Sequence, residues 1–140
     1  MNAHSVLLTS TPAGPSFLGK ALNPNSCFLH HATLNTATGA HPLALRIADR
    51  FSSRLRGLML APPLADHEGL LLTGCSSIHS GFMRQSIDVI YLDRNDRVVR
   101  CVQRLRPWSV SMAWAATQVL ELAAGSIGRY AIAPNDRLRR

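Results

Sequence analysis

The side chains best suited to chemistry lie around one short polar stretch, Gly74 to Gly81. Cys75 offers a thiol that could act as a nucleophile, and His79 offers an imidazole that could act as a general base. Asp88 could orient that imidazole. Because the stretch has the composition of a loop, the four-residue spacing of the thiol and the imidazole does not place them on one face, as a helix would. The residue types suit a hydrolase-like reaction, but their spacing does not establish one.

The same stretch also fits a binding site for a ligand or a partner. It lies between two apolar runs, within GLLLTGCSSIHSGFMRQSIDVIYLD. The structural alternative is that the histidine bonds backbone carbonyls in a tight turn, that the aspartate pairs with an arginine, and that Phe82 and the methionine beside it are core. The residues that we expect at the site are His79, Met83, Arg84, Asp88 and, from a separate segment, Arg54.

Metal binding is weakly supported. Cys75 and His79 supply two soft ligands, and only Cys101 or Asp88 could be a third, whereas structural zinc takes four ligands and catalytic zinc normally three. The three cysteines form no CxxC pattern, which favours free thiols over a disulfide framework. We therefore expect no metal and no cofactor.

The charge balance favours an anionic partner: nucleic acid, anionic lipid or an acidic protein. The formal net charge is +7 and the pI is near 10.7. Nucleic acid is disfavoured among these, since aromatic residues are only 6% of the chain and the arginines are scattered. The closest basic and aromatic cluster is Arg104, Arg106 and Trp108, and we expect this tryptophan to pack over a sheet.

A chain of 140 residues indicates one domain. We expect residues 1–26 to form a flexible tail, because they carry little apolar surface to offset the entropy of ordering, and residues 27–140 to form the domain. No apolar run approaches the ~18 residues of a membrane helix, so no transmembrane segment is expected. The first residues lack a basic region before their short apolar run, which makes a cytoplasmic location the default expectation.

Strand patterns outnumber helix patterns. Phe28 to Thr36 and the alternating Leu43 to Ile47 predict a hairpin, while a short helix is predicted from Asp49. Later strands are predicted at 69–72, 87–92, 97–103 and 117–122, with Val98 and Val102 on one face, and one helical turn at 126–131. Short connections between strands favour an antiparallel α+β domain.

Five stretches carry a resemblance to a known family. They are RLRGLM (54–59), CSSIHSGFMRQSIDVIYLD (75–93), RVV (97–99), VLELAAG (119–125) and NDRL (135–138). Together, and in this order, they resemble the family called domain of unknown function 192, or uncharacterised protein family 0127. The resemblance implies a compact, barrel-like or sandwich-like β-rich domain with one short helix. It implies no activity, although some members occur beside pilus or secretion genes.

One departure from the family lies in the polar stretch. Members often carry a bulky residue or threonine where this chain has Ser80 and Gly81, a difference that could open space beside His79. The leading hypothesis is a small non-enzymatic binding or accessory domain. The alternatives are a hydrolase-like enzyme that uses Cys75 or His79, and electrostatic binding of nucleic acid.

Overall fold

A computed structural model describes residues 29–48 and 62–140. These residues form nine strands and one short helix. The elements are β1 (Leu29–Thr36), β2 (Gly39–Ala48), β3 (Glu68–Thr73), β4 (Ser77–His79), β5 (Ile87–Leu92), β6 (Val98–Leu105), β7 (Val110–Met112), β8 (Gln118–Ala123), α1 (Ser126–Tyr130) and β9 (Arg137–Arg139).

Seven strands form one sheet in the order β6-β5-β8-β3-β2-β1-β9. All neighbours are antiparallel except the parallel pair β2–β3. The sheet curls into a half-barrel, and an isolated bridge between Arg97 and Arg137 links the start of β6 to β9. The expected class, a mainly antiparallel α+β domain with one short helix, is confirmed for the described residues.

The concave side of the sheet holds the first apolar core. Strands β1, β2, β3, β5, β6, β8 and β9 contribute alternate residues to it, and α1 closes one end through Ile127. The buried members include Leu34, Leu45, Leu71, Ile90, Leu120, Leu122 and Leu138.

The convex side of the same sheet is also apolar. Ile87, Val89 and Tyr91 of β5 and Val119 of β8 lie there in a second buried cluster. Strands β4 and β7 form a separate two-stranded ribbon, and Ile78 of this ribbon packs into that cluster. Because β5 is buried on both faces, the ribbon is required as a cover.

Several predicted elements are confirmed. The hairpin of β1 and β2, the buried strands β3, β5 and β8, and the single turn of α1 lie where the sequence pattern places them. The helix predicted from Asp49 lies outside the described residues. Within the described residues, no helix is long and apolar enough to span a membrane.

Two predictions about β4 and β6 are wrong. Residues 74–81, which the composition indicates as loop, contain the short strand β4. Val98 and Val102 lie on opposite faces, one in each apolar cluster. The reason is an irregularity in the β5–β6 ladder, where Tyr91 pairs with Arg100 but Leu92 pairs with Val98.

A substitution at Gly69 tests how tightly the concave core is packed. A Cβ at this position would lie 2.9 Å from Leu45 Cδ2 and 3.0 Å from Leu120 Cδ1 and Leu122 Cδ2. We expect Gly69→Ala to lower the free energy of unfolding by ~1–3 kcal/mol, because the packed leucines must shift. Gly128→Ala is the control, since no atom outside its own stretch of α1 lies within 4 Å of its Cβ position and alanine favours a helix. Urea denaturation of both variants checks this; equal stabilities would contradict the packing described.

Candidate functional site

The ribbon of β4 and β7 separates its side chains into two faces. Ile78 pairs with Ser111, and both are buried towards the large sheet. Ser77 and His79 of β4 pair with Met112 and Val110 of β7, and these four residues are exposed. The ribbon therefore covers the convex core with one face and presents the other to solvent.

The exposed face is unusually apolar. Among the described residues, the exposed large apolar side chains all lie on this ribbon or at its ends. We call these five residues the ribbon patch: Phe82 (59% exposed), Trp108 (70%), Val110 (74%), Met112 (41%) and Trp114 (89%).

Two aromatic residues of the ribbon patch are held in an unfavourable backbone conformation. Phe82 and Trp108 have φ values of 61° and 60°, in the left-handed region that bulky residues rarely adopt. Their rings meet edge to face, with centroids 4.7 Å apart. Each such conformation costs about 1–3 kcal/mol and persists only where surrounding contacts fix it, often at functional positions.

Ser80 supplies those contacts. This fully buried residue accepts backbone hydrogen bonds at its carbonyl from Met83 (3.3 Å) and Trp108 (3.0 Å). Its hydroxyl lies 2.5 Å from the Arg106 carbonyl oxygen and accepts the Ser109 N–H at 2.9 Å. The serine thus ties together the two turns that carry the exposed aromatic rings.

Gly81 lies beside the rings of His79 and Trp108. A Cβ there would lie 3.4 Å from His79 Nδ1 and 3.9 Å from Trp108 Cζ3. Both are ordinary van der Waals distances, so the space beside the histidine would take a methyl group without displacing either ring.

The predicted site residues do not converge on one point. His79 is exposed on the outer face of the ribbon, and Arg84 is exposed beyond its end. Met83 is buried in the convex core, and Asp88 is fully buried in β5. Arg54 lies outside the described residues. Phe82, expected in the core, is exposed instead.

Asp88 bonds backbone groups. Its Oδ1 accepts the N–H of Arg104 at 2.9 Å, and its Oδ2 accepts those of Gly125 at 3.1 Å and Ile127 at 2.8 Å. The carboxyl therefore caps the start of α1 and fixes the irregular end of β6, where Arg104 has a φ of 49°. This arrangement replaces the expected pairing with an arginine side chain.

The cysteines of the described residues have structural surroundings. The Cys75 thiol donates to the Ser77 carbonyl at 2.8 Å, and this residue packs against the convex core, whereas His79 faces solvent. Burial raises the pKa of the Cys101 thiol to about 11, which lowers its thiolate content at neutral pH. Within residues 29–48 and 62–140, no group of three His, Cys, Asp or Glu side chains is placed to hold a metal ion.

An open cleft lies at the segment that connects β4 to β5. Its volume is about 670 Å³, and Arg84 contributes the only ionisable side chain among its lining residues. Its apolar lining includes Met83, Ile87, Pro63 and Leu64. The cleft could accommodate a small ligand with one anionic group, but its lining includes neither a nucleophile beyond Ser86 nor a histidine.

Trp108 is the residue whose role the sequence interpretation missed most clearly. The sequence predicts that it packs over the sheet, whereas it is 70% exposed in the structure. The available signal is a period of two in WSVSMAW, residues 108–114, where large apolar residues alternate with serine or alanine. That alternation indicates a strand with one apolar face, although it does not say that the apolar face points outward.

Glu121 is a buried carboxyl on the convex side. It is 4% exposed, and its Oε2 has no hydrogen-bond partner within the described part of the chain. Burial raises its pKa to about 7, while the Arg46 guanidinium acts in the opposite direction. Its neighbours across the ladders are Leu70 and Val89, which explains the poor solvation of the charged form.

Removing the Asp88 carboxyl tests its structural role. We expect Asp88→Ala to lower the free energy of unfolding by about 3 kcal/mol, because one buried and two partly buried N–H groups lose their acceptor. Asp88→Asn keeps the shape and one acceptor oxygen, so its loss should be smaller. Urea denaturation of both variants measures this, and a loss below about 1 kcal/mol for the alanine variant would contradict the assignment.

The Glu121 carboxyl predicts a specific pH dependence. Its pKa is about 7 in the fold against 4.5 for the unperturbed group, so the folded state holds the extra proton and stability falls as the pH rises through this window. We expect Glu121→Gln to remove this fall, with a gain over wild type of up to about 3 kcal/mol near pH 8 that vanishes near pH 4. Denaturation of both proteins across this range checks it; parallel profiles would contradict it.

Known proteins share both the sequence pattern and the fold. The model of the family DUF192, described as uncharacterized ACR, matches residues 33–140. A UPF0127 protein of Thermococcus sibiricus is 46% identical over 68 residues, which are 46% of this chain and 44% of that protein. A UPF0127 protein of Pyrococcus horikoshii is 45% identical over 47% of this chain and 59% of its own length. The aligned part therefore spans about half of each of these two relatives.

A longer match and two crystal structures extend the comparison. A UPF0127 protein of Pyrococcus furiosus is 34% identical over 69% of this chain and 85% of its own length. A candidate transcription regulator of Sinorhizobium meliloti superposes with a TM-score of 0.77 at 25% identity, covering 84% of this chain and 97% of that one. A protein of unknown function from Novosphingobium aromaticivorans gives the same score at 21% identity, covering 89% and 94%. The chain belongs to the DUF192 family of uncharacterised proteins.

Proposed function

We propose that this protein is a non-enzymatic binding domain whose partner surface is the ribbon patch. The observation that carries the proposal is the concentration of exposed large apolar side chains on one outer face. Contiguous apolar surface of this kind marks interaction sites in soluble domains. The patch lies on and beside the Cys75–Asp88 segment, where the sequence predicts a site. The residues that form it are those of the ribbon patch and differ from the predicted site residues.

The fixed geometry of the patch supports this function. Phe82 and Trp108 are exposed although their backbone conformations are costly, and Ser80 fixes both turns. A fold that only needed a cover for its convex core would not require aromatic residues on the outside. Aromatic side chains held rigidly in advance lose little entropy on binding, which favours a partner-contacting role.

The hydrolase-like alternative has weaker support. Cys75 donates to a backbone carbonyl and packs against the core, His79 is solvent-exposed, and Asp88 is occupied by three backbone N–H groups. These three side chains therefore do not form a nucleophile, base and orienting group. A link to pilus or secretion systems stays a prediction, since the relatives described above name none.

A site-specific crosslinking experiment tests the binding function. A photoreactive phenylalanine analogue is placed at Val110 in the ribbon patch and, as the matched control, at Ala40, which is exposed in β2 on the hairpin with β1. The full chain is irradiated in the cells from which it comes. We expect an adduct of defined mass from position 110 that is absent from position 40.

The same experiment includes the variant Trp108→Ser. Because this change removes a central part of the apolar surface without touching the core, the adduct from position 110 should fall by about tenfold while the fold is retained. Near-ultraviolet and far-ultraviolet circular dichroism check the fold. Equal adducts from both positions, or none from position 110, would overturn the proposed function.

A further inference from the structure

We propose that the partner of the ribbon patch is an anionic lipid bilayer surface. The exposed apolar side chains enter the interfacial layer, and the surrounding arginines contact lipid phosphates. This inference rests on the proposed function and names its partner. It follows from the charge around the patch and from the types of side chain within it.

The segments that build the ribbon carry charge of one sign. Residues 69–87 and 97–120 contain no aspartate or glutamate. They contain five arginines: Arg84, Arg97, Arg100, Arg104 and Arg106. Arg97 bridges to Arg137 on β9, and its charge acts on Asp93. The basic charge that the other four arginines supply complements a uniformly anionic surface.

These arginines are available to a partner. All five are exposed, and the ion pairs found among the described residues, Arg129–Asp66 and Arg140–Asp96, involve none of them. Arg100 lies against the ribbon patch, because its Nη1 donates to the Met112 carbonyl. Arg106 shares a turn with Trp108, since its carbonyl oxygen contacts the Ser80 hydroxyl that also accepts the Ser109 N–H.

The side chains of the patch favour lipid over nucleic acid. Tryptophan is enriched where a protein meets the interface of a membrane. Val110 and Met112 lie along the same outward face and are 74% and 41% exposed. Aliphatic side chains cannot stack on bases, whereas they gain from transfer into the acyl boundary. Mixed aromatic and aliphatic residues surrounded by arginine therefore fit an anionic bilayer better than single-stranded nucleic acid.

Intrinsic fluorescence gives a direct test because the chain has two tryptophans, Trp108 and Trp114, and both belong to the ribbon patch. The purified full chain is titrated with vesicles of phosphatidylcholine and with vesicles of phosphatidylcholine mixed with phosphatidylglycerol. We expect a blue shift of the emission and co-sedimentation with the anionic vesicles, both weakened by added salt. Pure phosphatidylcholine should give a much smaller response.

Matched charge variants distinguish attraction of the vesicles to the ribbon patch from attraction to the net positive charge of the whole protein. Arg84→Gln with Arg106→Gln removes two charges beside the patch, and Arg137→Gln with Arg139→Gln removes two exposed charges on β9. We expect the first pair to weaken binding to anionic vesicles by about tenfold and the second pair to weaken it far less. Equal losses from both pairs would overturn docking through this face.

The titration also distinguishes this proposal from the broader function. No blue shift or sedimentation with anionic vesicles, while the adduct from position 110 persists in cells, would overturn the lipid partner and leave the binding function standing. If neither the vesicle response nor the adduct from position 110 is found, both the lipid partner and the binding function are overturned. A shift with a single-stranded oligonucleotide or an acidic peptide but not with vesicles would likewise replace lipid by that partner.

Discussion

A central strand that is buried on both faces is the constraint on which the rest of the structure depends. All six residues of β5 are buried, and five of the six in β8. Curling of the sheet covers one side of these strands, but it leaves the convex side without a cover. The ribbon of β4 and β7 provides part of that cover. Its inner face is therefore committed to packing, and only its outer face is available for another role.

The buried polar residues next to the ribbon form hydrogen bonds with main-chain groups. Asp88 satisfies three N–H groups at the junction of β6 and α1, and Ser80 joins the turns that carry Phe82 and Trp108. Buried polar groups of this kind are costly unless fully bonded, so they fix a single arrangement when they are. The segment that is richest in reactive side-chain types thus positions an apolar surface.

The sequence predicts the strands whose signal is local. Continuous apolar runs identify β3, β5 and β8, and alternation with a turn identifies the β1–β2 hairpin. Strands β4 and β7 are three residues each, and they pair across about thirty residues of chain. Their stability comes from the core beneath them. The alternation in residues 108–114 indicates a strand at β7, but it does not indicate that β4 is the partner strand.

The candidate site is less predictable for related reasons. The location of the segment follows from its flanking strands, but the direction of each side chain depends on contacts distant in sequence. Trp108 lies in a turn with a positive φ, which the sequence of a non-glycine residue does not indicate. The acceptor role of Asp88 depends on main-chain donors that the topology of β6 and α1 brings to it. A search for side-chain partners therefore could not find them.

The central claim is that the ribbon holds an apolar surface open to solvent. Acrylamide quenching of tryptophan fluorescence in the purified full chain tests it most directly, because Trp108 and Trp114 are the only emitters of this kind. The structure predicts emission typical of water-exposed indole and efficient quenching, with the single-tryptophan variants Trp108→Phe and Trp114→Phe both accessible. Blue-shifted emission protected from acrylamide in the isolated protein would show that the surface is covered, and would contradict the account.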